Sequence, residues 1–287
     1  MSRTIGFVGL GNMGKPMADN IAAAGFDLVC FDAAGTEGRL PVGASAATSV
    51  VDVVARADTV MLSVPDGAVT LSIADEILAA ADRRVTVVVD LSTVGPVAAR
   101  TAAERLAPAG ITYCDGPVSG GVAGARAATI AFMFGGPSEV LDEHRPVFEA
   151  IAGNVFHVGE EAGHGQAMKL VNNVLSATAL AASSEAMALG RAYGLDLATM
   201  LDVINVSSGR NTATSDKFPN RVLTGTYDTG FFTRLMAKDV RLFNSVADQV
   251  GTRHDVMRAM AATWDEFDES MPGSDFSEIW RFATGER

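Results

Sequence analysis

Short unbroken apolar runs recur through the first half of the chain: Thr4-Ile5-Gly6-Phe7-Val8, Leu28-Val29-Cys30-Phe31, Thr59-Val60-Met61-Leu62-Ser63-Val64, Val85-Thr86-Val87-Val88-Val89-Asp90 and Ile111-Thr112-Tyr113-Cys114-Asp115. They are rich in β-branched residues and do not alternate with polar ones, as suits strands covered on both faces. Ala-rich, helix-forming stretches separate them, and the first, Pro16 to Ala24, is closed by Gly25. Strand, helix, strand in succession predicts a largely parallel, doubly wound α/β sheet. Two further short strands are expected at Thr129 to Phe134 and at Val155 to Val158.

The pattern changes after Gly159. From Gly163 to Tyr193 the chain holds helix formers and no proline. One helix of roughly 30 residues, about 45 Å long, is predicted there. Only helices are expected afterwards, at Leu197 to Asn205, Phe231 to Val250, Asp255 to Glu269 and Phe276 to Phe282, parted by Ser207-Ser208-Gly209, Gly225 and Pro272-Gly273. The fold class is therefore an α/β sheet domain, residues 1–162, followed by an all-α domain, residues 163–287, with 163–193 as the bridging helix. No internal repeat or low-complexity linker interrupts this division.

The turn after the first strand, Gly9-Leu10-Gly11-Asn12-Met13-Gly14, gives that sheet a ligand. Gly9 permits the tight turn, Gly11 admits a pyrophosphate against the backbone, and Gly14 lets helix and strand approach. The helix N-terminus then faces the phosphates. The second strand ends on Asp32, placed to accept hydrogen bonds from an adenosine ribose and to repel a 2′-phosphate. With Ala33-Ala34 following and no adjacent arginine, the expected cofactor is NAD, with NADP disfavoured. This makes the first domain a Rossmann-type dinucleotide-binding unit.

Composition narrows the partners. A chain of 287 residues with 48% hydrophobic content is long enough for two cores, and its net charge of -12 disfavours nucleic acid and anionic membrane surfaces. Cys30 and Cys114 both lie in apolar strands and suggest core residues rather than a disulfide or zinc site. No apolar run approaches membrane-span length, and Met1-Ser2-Arg3 leads into the first strand without a signal peptide, so the cytoplasm is expected. His144, His157, His164 and His254 lack metal-ligand spacing, and no hydrolase nucleophile motif is present; no metal is expected. His164 reads as a loop residue.

Four motifs together resemble the β-hydroxyacid dehydrogenase family. They are the glycine turn with Met17-Ala18; Asp115-Gly116-Pro117-Val118-Ser119-Gly120-Gly121 with Gly124-Ala125; Gly163-His164-Gly165-Gln166-Ala167-Met168-Lys169 with Asn172-Asn173; and Leu235-Met236-Ala237-Lys238-Asp239. The resemblance implies that Lys169 takes or gives the hydroxyl proton during hydride transfer, with Asn173 one helical turn on, converging on the same oxygen. Burial beside a positively charged nicotinamide favours the neutral amine that a base needs. It also implies that Ser119, Gly120 and Gly121 bind the substrate carboxylate, which accessible backbone N–H groups at a strand end can do. Cofactor contacts are expected from Gly9, Leu10, Gly11, Asn12, Met13, Gly14, Asp32, Val64, Pro65, Thr93 and Lys238. The alternative for Lys238 is a salt bridge with Asp239. Ala128-Thr129 departs from the Gly-Thr common in the family. Arg210 is a candidate for the pocket mouth, and Asn172 is assigned no role.

The function so implied is an NAD-preferring oxidoreductase of a small β-hydroxy acid, or reductase of the matching semialdehyde. Substrates to rank are 3-hydroxyisobutyrate, tartronate semialdehyde, 4-hydroxybutyrate, serine and sulfonated analogues. The alternatives are an imine reductase and a non-enzymatic dinucleotide-binding interaction protein on the same scaffold; Lys169 weighs against both. The family's homodimers or homotetramers are expected here too.

Overall fold

The computed structural model describes residues 4–286, so the leader reading of Met1-Ser2-Arg3 lies outside the described residues. The chain divides after Lys169 into two compact units.

The first unit opens with strand β1 (Ile5–Val8), helix α1 (Gly14–Ala23) and strand β2 (Leu28–Phe31). A two-residue edge strand β3 (Ser45–Ala46) and helix α2 (Val50–Arg56) follow, then β4 (Thr59–Leu62), α3 (Gly67–Ala79), β5 (Val87–Asp90) and α4 (Pro96–Leu106). After β6 (Thr112–Asp115) come β7 (Val118–Ser119), α5 (Gly121–Arg126), β8 (Ile130–Gly135), α6 (Ser138–Ile151) and β9 (Ala152–Gly159). The strands form one sheet, β3-β2-β1-β4-β5-β6 all parallel, with β8 antiparallel to β6 and β7 and parallel to β9.

Adjacent residues of each central strand point to opposite faces, and each face has its own core. Ile5 and Phe7, Met61, Val87 and Val89, and Cys114 join one cluster with Met17, Ile21, Phe132 and Phe148. Val8, Val60 and Leu62, Val88, and Tyr113 join the other with Val53, Ile77, Ala99 and Leu106. Two buried faces require the continuous apolar runs seen in the sequence. Phe132 and Phe148 stack at 4.7 Å between ring centroids and anchor α6 to β8. Both Cys30 and Cys114 are fully buried in this sheet, and burial pushes each thiol up to about 12.

Several local expectations need correction. Ser119 ends a further two-residue strand, β7, that was not expected, paired with Ala131, and a short helix begins at Gly121. Gly120, at φ 137°, makes that abrupt change of direction possible. At the departure from the family pattern, Ala128 holds φ 54°, the left-handed conformation that a glycine would adopt without strain. His164 opens a helix rather than sitting in a loop.

That helix, α7 (His164–Ala192), is continuous across the division between the units. The second unit continues with α8 (Leu197–Asn205), a π-helical segment (Ala213–Val222) that the apolar pattern did not reveal, α9 (Thr233–Val250) and α10 (Asp255–Ser270). The helix expected over Phe276 to Phe282 is instead a 3-10 turn (Phe276–Glu278) running into α11 (Ile279–Thr284). Its core gathers Val174, Leu180, Phe218, Val240, Trp264, Phe267 and Trp280. No helix among the described residues is long and apolar enough to cross a membrane.

Candidate active site

The carboxyl ends of β1, β2, β4, β5 and β6 lie side by side in the parallel sheet, and the sequence-expected residues of the first unit cluster along them. At β1 the chain turns so tightly that a Cβ on Gly9, itself at φ 98°, would lie 2.1 Å from the Ser63 carbonyl oxygen, and one on Gly14 would lie 1.9 Å from that of Gly9. A Cβ on Gly11 would meet nothing within 4 Å. Two of the glycines are therefore required by packing, and the middle one opens the backbone to a ligand. No side chain caps the start of α1, and its first turn holds no acid. Backbone N–H groups at that end are thus available to an anion. This glycine cradle fits the pyrophosphate of a dinucleotide.

Asp32 follows β2 and reaches back to this turn. Its Oδ2 accepts from Leu10 N at 2.6 Å, and its Oδ1 accepts from Ala34 N at 2.8 Å and from Arg39 Nη1 at 3.2 Å. The expectation that no arginine stands beside Asp32 is corrected here: the turn after β2 brings back a residue seven positions on.

At β4 and β5 the loop ends are tied together. Val64 N donates to Ser92 Oγ at 2.8 Å, leaving Pro65 exposed and Thr93 half-buried at the edge. The Ser92–Gly95 stretch is then held by Gln166, which is fully buried. Its Oε1 accepts from Val94 N at 2.9 Å and Gly95 N at 3.0 Å, while its Nε2 donates to Ser92 O at 2.8 Å. In the sequence Gln166 belongs to the third motif, with no role of its own. Its burial three residues before Lys169, on the same face of α7, is what gives it one.

Asp115, at the end of β6, fixes where α7 begins. Its two carboxylate oxygens accept from Gly163 N and Gln166 N, each at 2.6 Å. The approach is close enough that a Cβ on Gly165 would lie 2.8 Å from Asp115 Oδ2 and 2.3 Å from the Met133 carbonyl oxygen. The Asp115 carboxyl is raised to about 7 in all: burial raises it most, the backbone donors of Gly163 and Gln166 offset part of that, and the neighbouring Asp90 charge adds to it. Asp90 pairs with Asp115 in register between β5 and β6. It is buried, accepting from Thr70 Oγ1 at 2.7 Å, Ser92 N at 2.9 Å and the Tyr113 hydroxyl at 3.1 Å. Its carboxyl is also raised by burial, against these donors.

Lys169 stands just beyond this anchor, 8% exposed. The site thus has a buried amine on a helix whose first turn is bolted to two strand ends. At β7, Ser119 is half-buried and Gly120 exposed.

In the second unit, Asn173 is buried and donates from Nδ2 to Asp239 Oδ2 at 2.6 Å, while its Oδ1 accepts from Asn172 Nδ2 at 3.1 Å. Lys238 Nζ stands 3.2 Å from Asp239 Oδ1, close enough for an ion pair though not aligned for a hydrogen bond. The salt-bridge alternative for Lys238 is present. The sequence reading also missed Asp239, 3% exposed, as the residue holding Asn173. Arg210 is exposed. Among the described residues no group of three or more His, Cys, Asp or Glu could hold a metal.

Sheet, glycine turn and acid-ended second strand define a dinucleotide-binding protein, and the comparisons make it an oxidoreductase and give its family. A family model for the NAD binding domain of 6-phosphogluconate dehydrogenase matches residues 4–159, and one for the NAD-binding of NADP-dependent 3-hydroxyisobutyrate dehydrogenase matches residues 163–283. The chain is 40% identical to the NAD-dependent L-serine dehydrogenase of Pseudomonas aeruginosa, covering 85% of both chains. It is 37% identical to the 3-hydroxyisobutyrate dehydrogenase of the same organism, covering 98% of both. The solved structure of Mycobacterium tuberculosis 3-hydroxyisobutyrate dehydrogenase with L-serine superposes with a TM-score of 0.92 at 36% identity, covering 98% of this chain and 99% of that one. An imine reductase from Streptomyces aurantiacus, at 23% identity and a TM-score of 0.65, shares the fold. The chain belongs to the β-hydroxyacid dehydrogenase family and is an NAD-dependent hydroxyacid dehydrogenase.

Proposed function

We propose that the protein oxidises a small 3-hydroxy acid of the 3-hydroxyisobutyrate and L-serine type, or reduces the corresponding semialdehyde, with Lys169 as general base and acid. The observation that carries this reading is the burial of Lys169 on the face of α7 that Gln166 ties to the Ser92–Gly95 loop. The names of the relatives support the substrate class. NAD, when bound, supplies the acceptor for the hydride.

In the oxidative direction the hydroxyl proton passes to Lys169 Nζ as the carbinol carbon gives up its hydride and a carbonyl forms. In reverse the ammonium returns that proton to the oxygen. Asn173 Nδ2 has two hydrogens and gives one to Asp239, which leaves one for the substrate oxygen. Ser119, Gly120 and Gly121 take the substrate carboxylate through hydroxyl and backbone donors. Gly9 to Gly14, Asp32, Val64, Pro65 and Thr93 hold the cofactor, and the motif around Lys238 supports a contribution from that lysine. We place the enzyme in the cytoplasm as a homodimer or homotetramer; the exposed Met168, Val171 and Leu175 form an apolar stripe along α7 that suits such assembly.

The test is NADH formation by purified protein with 3-hydroxyisobutyrate, L-serine and 4-hydroxybutyrate, with Lys169→Ala in parallel. Turnover of a 3-hydroxy acid is expected, falling by about 100-fold or more in the variant, the range of a lost acid–base group. Near-normal turnover by a folded Lys169→Ala would remove the lysine from the mechanism.

A further inference from the structure

Asp32, the residue that meets the cofactor ribose in this fold, has its Oδ1 engaged by two donors, so a ribose hydroxyl gains that oxygen only by displacing one of them. Two of its three donors, Leu10 N and Ala34 N, belong to backbone that the fold fixes. The third is a side chain. Arg39 donates through Nη1 to Oδ1 at 3.2 Å, the longest of the three contacts, and it is 43% exposed where Asp32 is 12% exposed. A half-exposed ion pair is weak and yields readily to a competing hydrogen-bonding ligand. The placement of Arg39 is not that of a slack loop, because the segment winds on itself: Gly35 N donates to Asp32 O at 2.9 Å, and Arg39 N donates to Thr36 O at 3.0 Å.

We propose that Arg39 is the cofactor-discriminating residue of this enzyme: it yields Asp32 Oδ1 to the ribose hydroxyls of NAD, and its displaced guanidinium receives the 2′-phosphate of NADP, which the enzyme accepts as a second, weaker cofactor. The inference rests on dinucleotide binding at the glycine turn. Asp32 alone would turn a 2′-phosphate away by charge. Arg39 on the same carboxylate neutralises that repulsion and offers a planar fork of donors that matches phosphate oxygens. The same residue competes with the ribose of NAD, so its removal acts in opposite directions on the two cofactors.

Titration calorimetry separates these effects without turnover. Wild type, Arg39→Ala and Arg39→Lys are titrated with NAD, NADP, AMP and adenosine 2′,5′-bisphosphate; the last two differ only in the 2′-phosphate. In Arg39→Ala the affinity for NADP and for the bisphosphate is expected to fall about tenfold or more, while that for NAD and AMP holds or rises. Arg39→Lys should retain part of the bisphosphate affinity, since it keeps the charge and loses the fork. Equal weakening of all four ligands, or unchanged bisphosphate affinity in Arg39→Ala, would overturn the assignment while leaving the cofactor site intact. A wild type that binds neither NAD nor AMP would sink the cofactor site itself, and Arg39's part with it.

Discussion

Asp115 in the first unit and Asp239 in the second are both buried carboxylates beside elements that carry the proposed chemistry, and the protein stabilises them by different means. Asp115 faces two backbone N–H groups at the start of α7. Asp239 faces the Asn173 amide and the Lys238 ammonium. Backbone donors cannot move away, so the first arrangement fixes a helix in place, even though burial, only partly offset by those donors, raises the Asp115 carboxyl to about 7. Side-chain donors can rearrange, so the second holds a single functional group without committing the backbone. The difference separates placement of helix α7 from orientation of one amide on it.

The sharpest way to break this contrast is Asp115→Asn. An amide nitrogen cannot accept a hydrogen bond, so Gly163 N or Gln166 N loses its partner, and a destabilisation of about 2 kcal/mol is expected from chemical denaturation. The pH dependence should change with it. The Asp115 carboxyl lies at about 7 in the folded protein against an ordinary value of 3.8, so between those limits the folded state holds the extra proton. Its contribution to stability is fully present below the lower limit and is lost as the pH rises through about 7. Asp90, also raised by burial, acts in the same direction. Wild-type stability against pH should therefore decline across that window, and Asp115→Asn should decline less steeply. An unchanged slope would show that Asp115 is not the group responsible.

Asp239→Asn probes the other half. Its expected stability loss is smaller, about 1 kcal/mol, because Lys238 is partly exposed and can rehydrate. Its kcat should nonetheless fall several-fold, as an amide can turn its own N–H₂ toward Asn173 and misorient it. A large drop in thermal midpoint with normal kcat would reverse the assignment of the two roles. The smallest effect is expected from Ala128→Gly. Relief of the left-handed backbone at φ 54° should add about 0.5 kcal/mol, because part of the gain is offset by the greater freedom of glycine in the unfolded chain. Neither the pH slope nor kcat should move.

Much of this was legible in the chain. Two-sided burial dictates the apolar runs of β1, β4 and β5 directly, and the glycine turn carries its own geometry. Lys169 could be named as the candidate because a motif marks it, but its apolar neighbours did not foretell its burial: Met168 and Val171 are exposed, and of the three only Leu170 is buried. What stayed hidden depends on return of the chain. Arg39 is seven residues from Asp32, with no periodicity to announce that the segment folds back. Asp115 and Gln166 meet across 51 residues, a contact fixed only once β6 ends beside the start of α7. The π-helical segment contains Pro219 and has a wider turn, so its apolar spacing matches neither the 3.6-residue period of an α-helix nor the alternation of a strand.

The two cysteines give the sheet a built-in clock. Cys30 and Cys114 lie fully buried in separate strands of one hydrophobic face, and their thiols are held up to about 12, so the thiolate that alkylating reagents require is scarce in the closed protein at neutral pH. Any labelling at either position counts excursions in which the strands part. The ratio between the two sites would tell whether the β2 side of the sheet opens separately from the β6 side or the whole face comes apart at once.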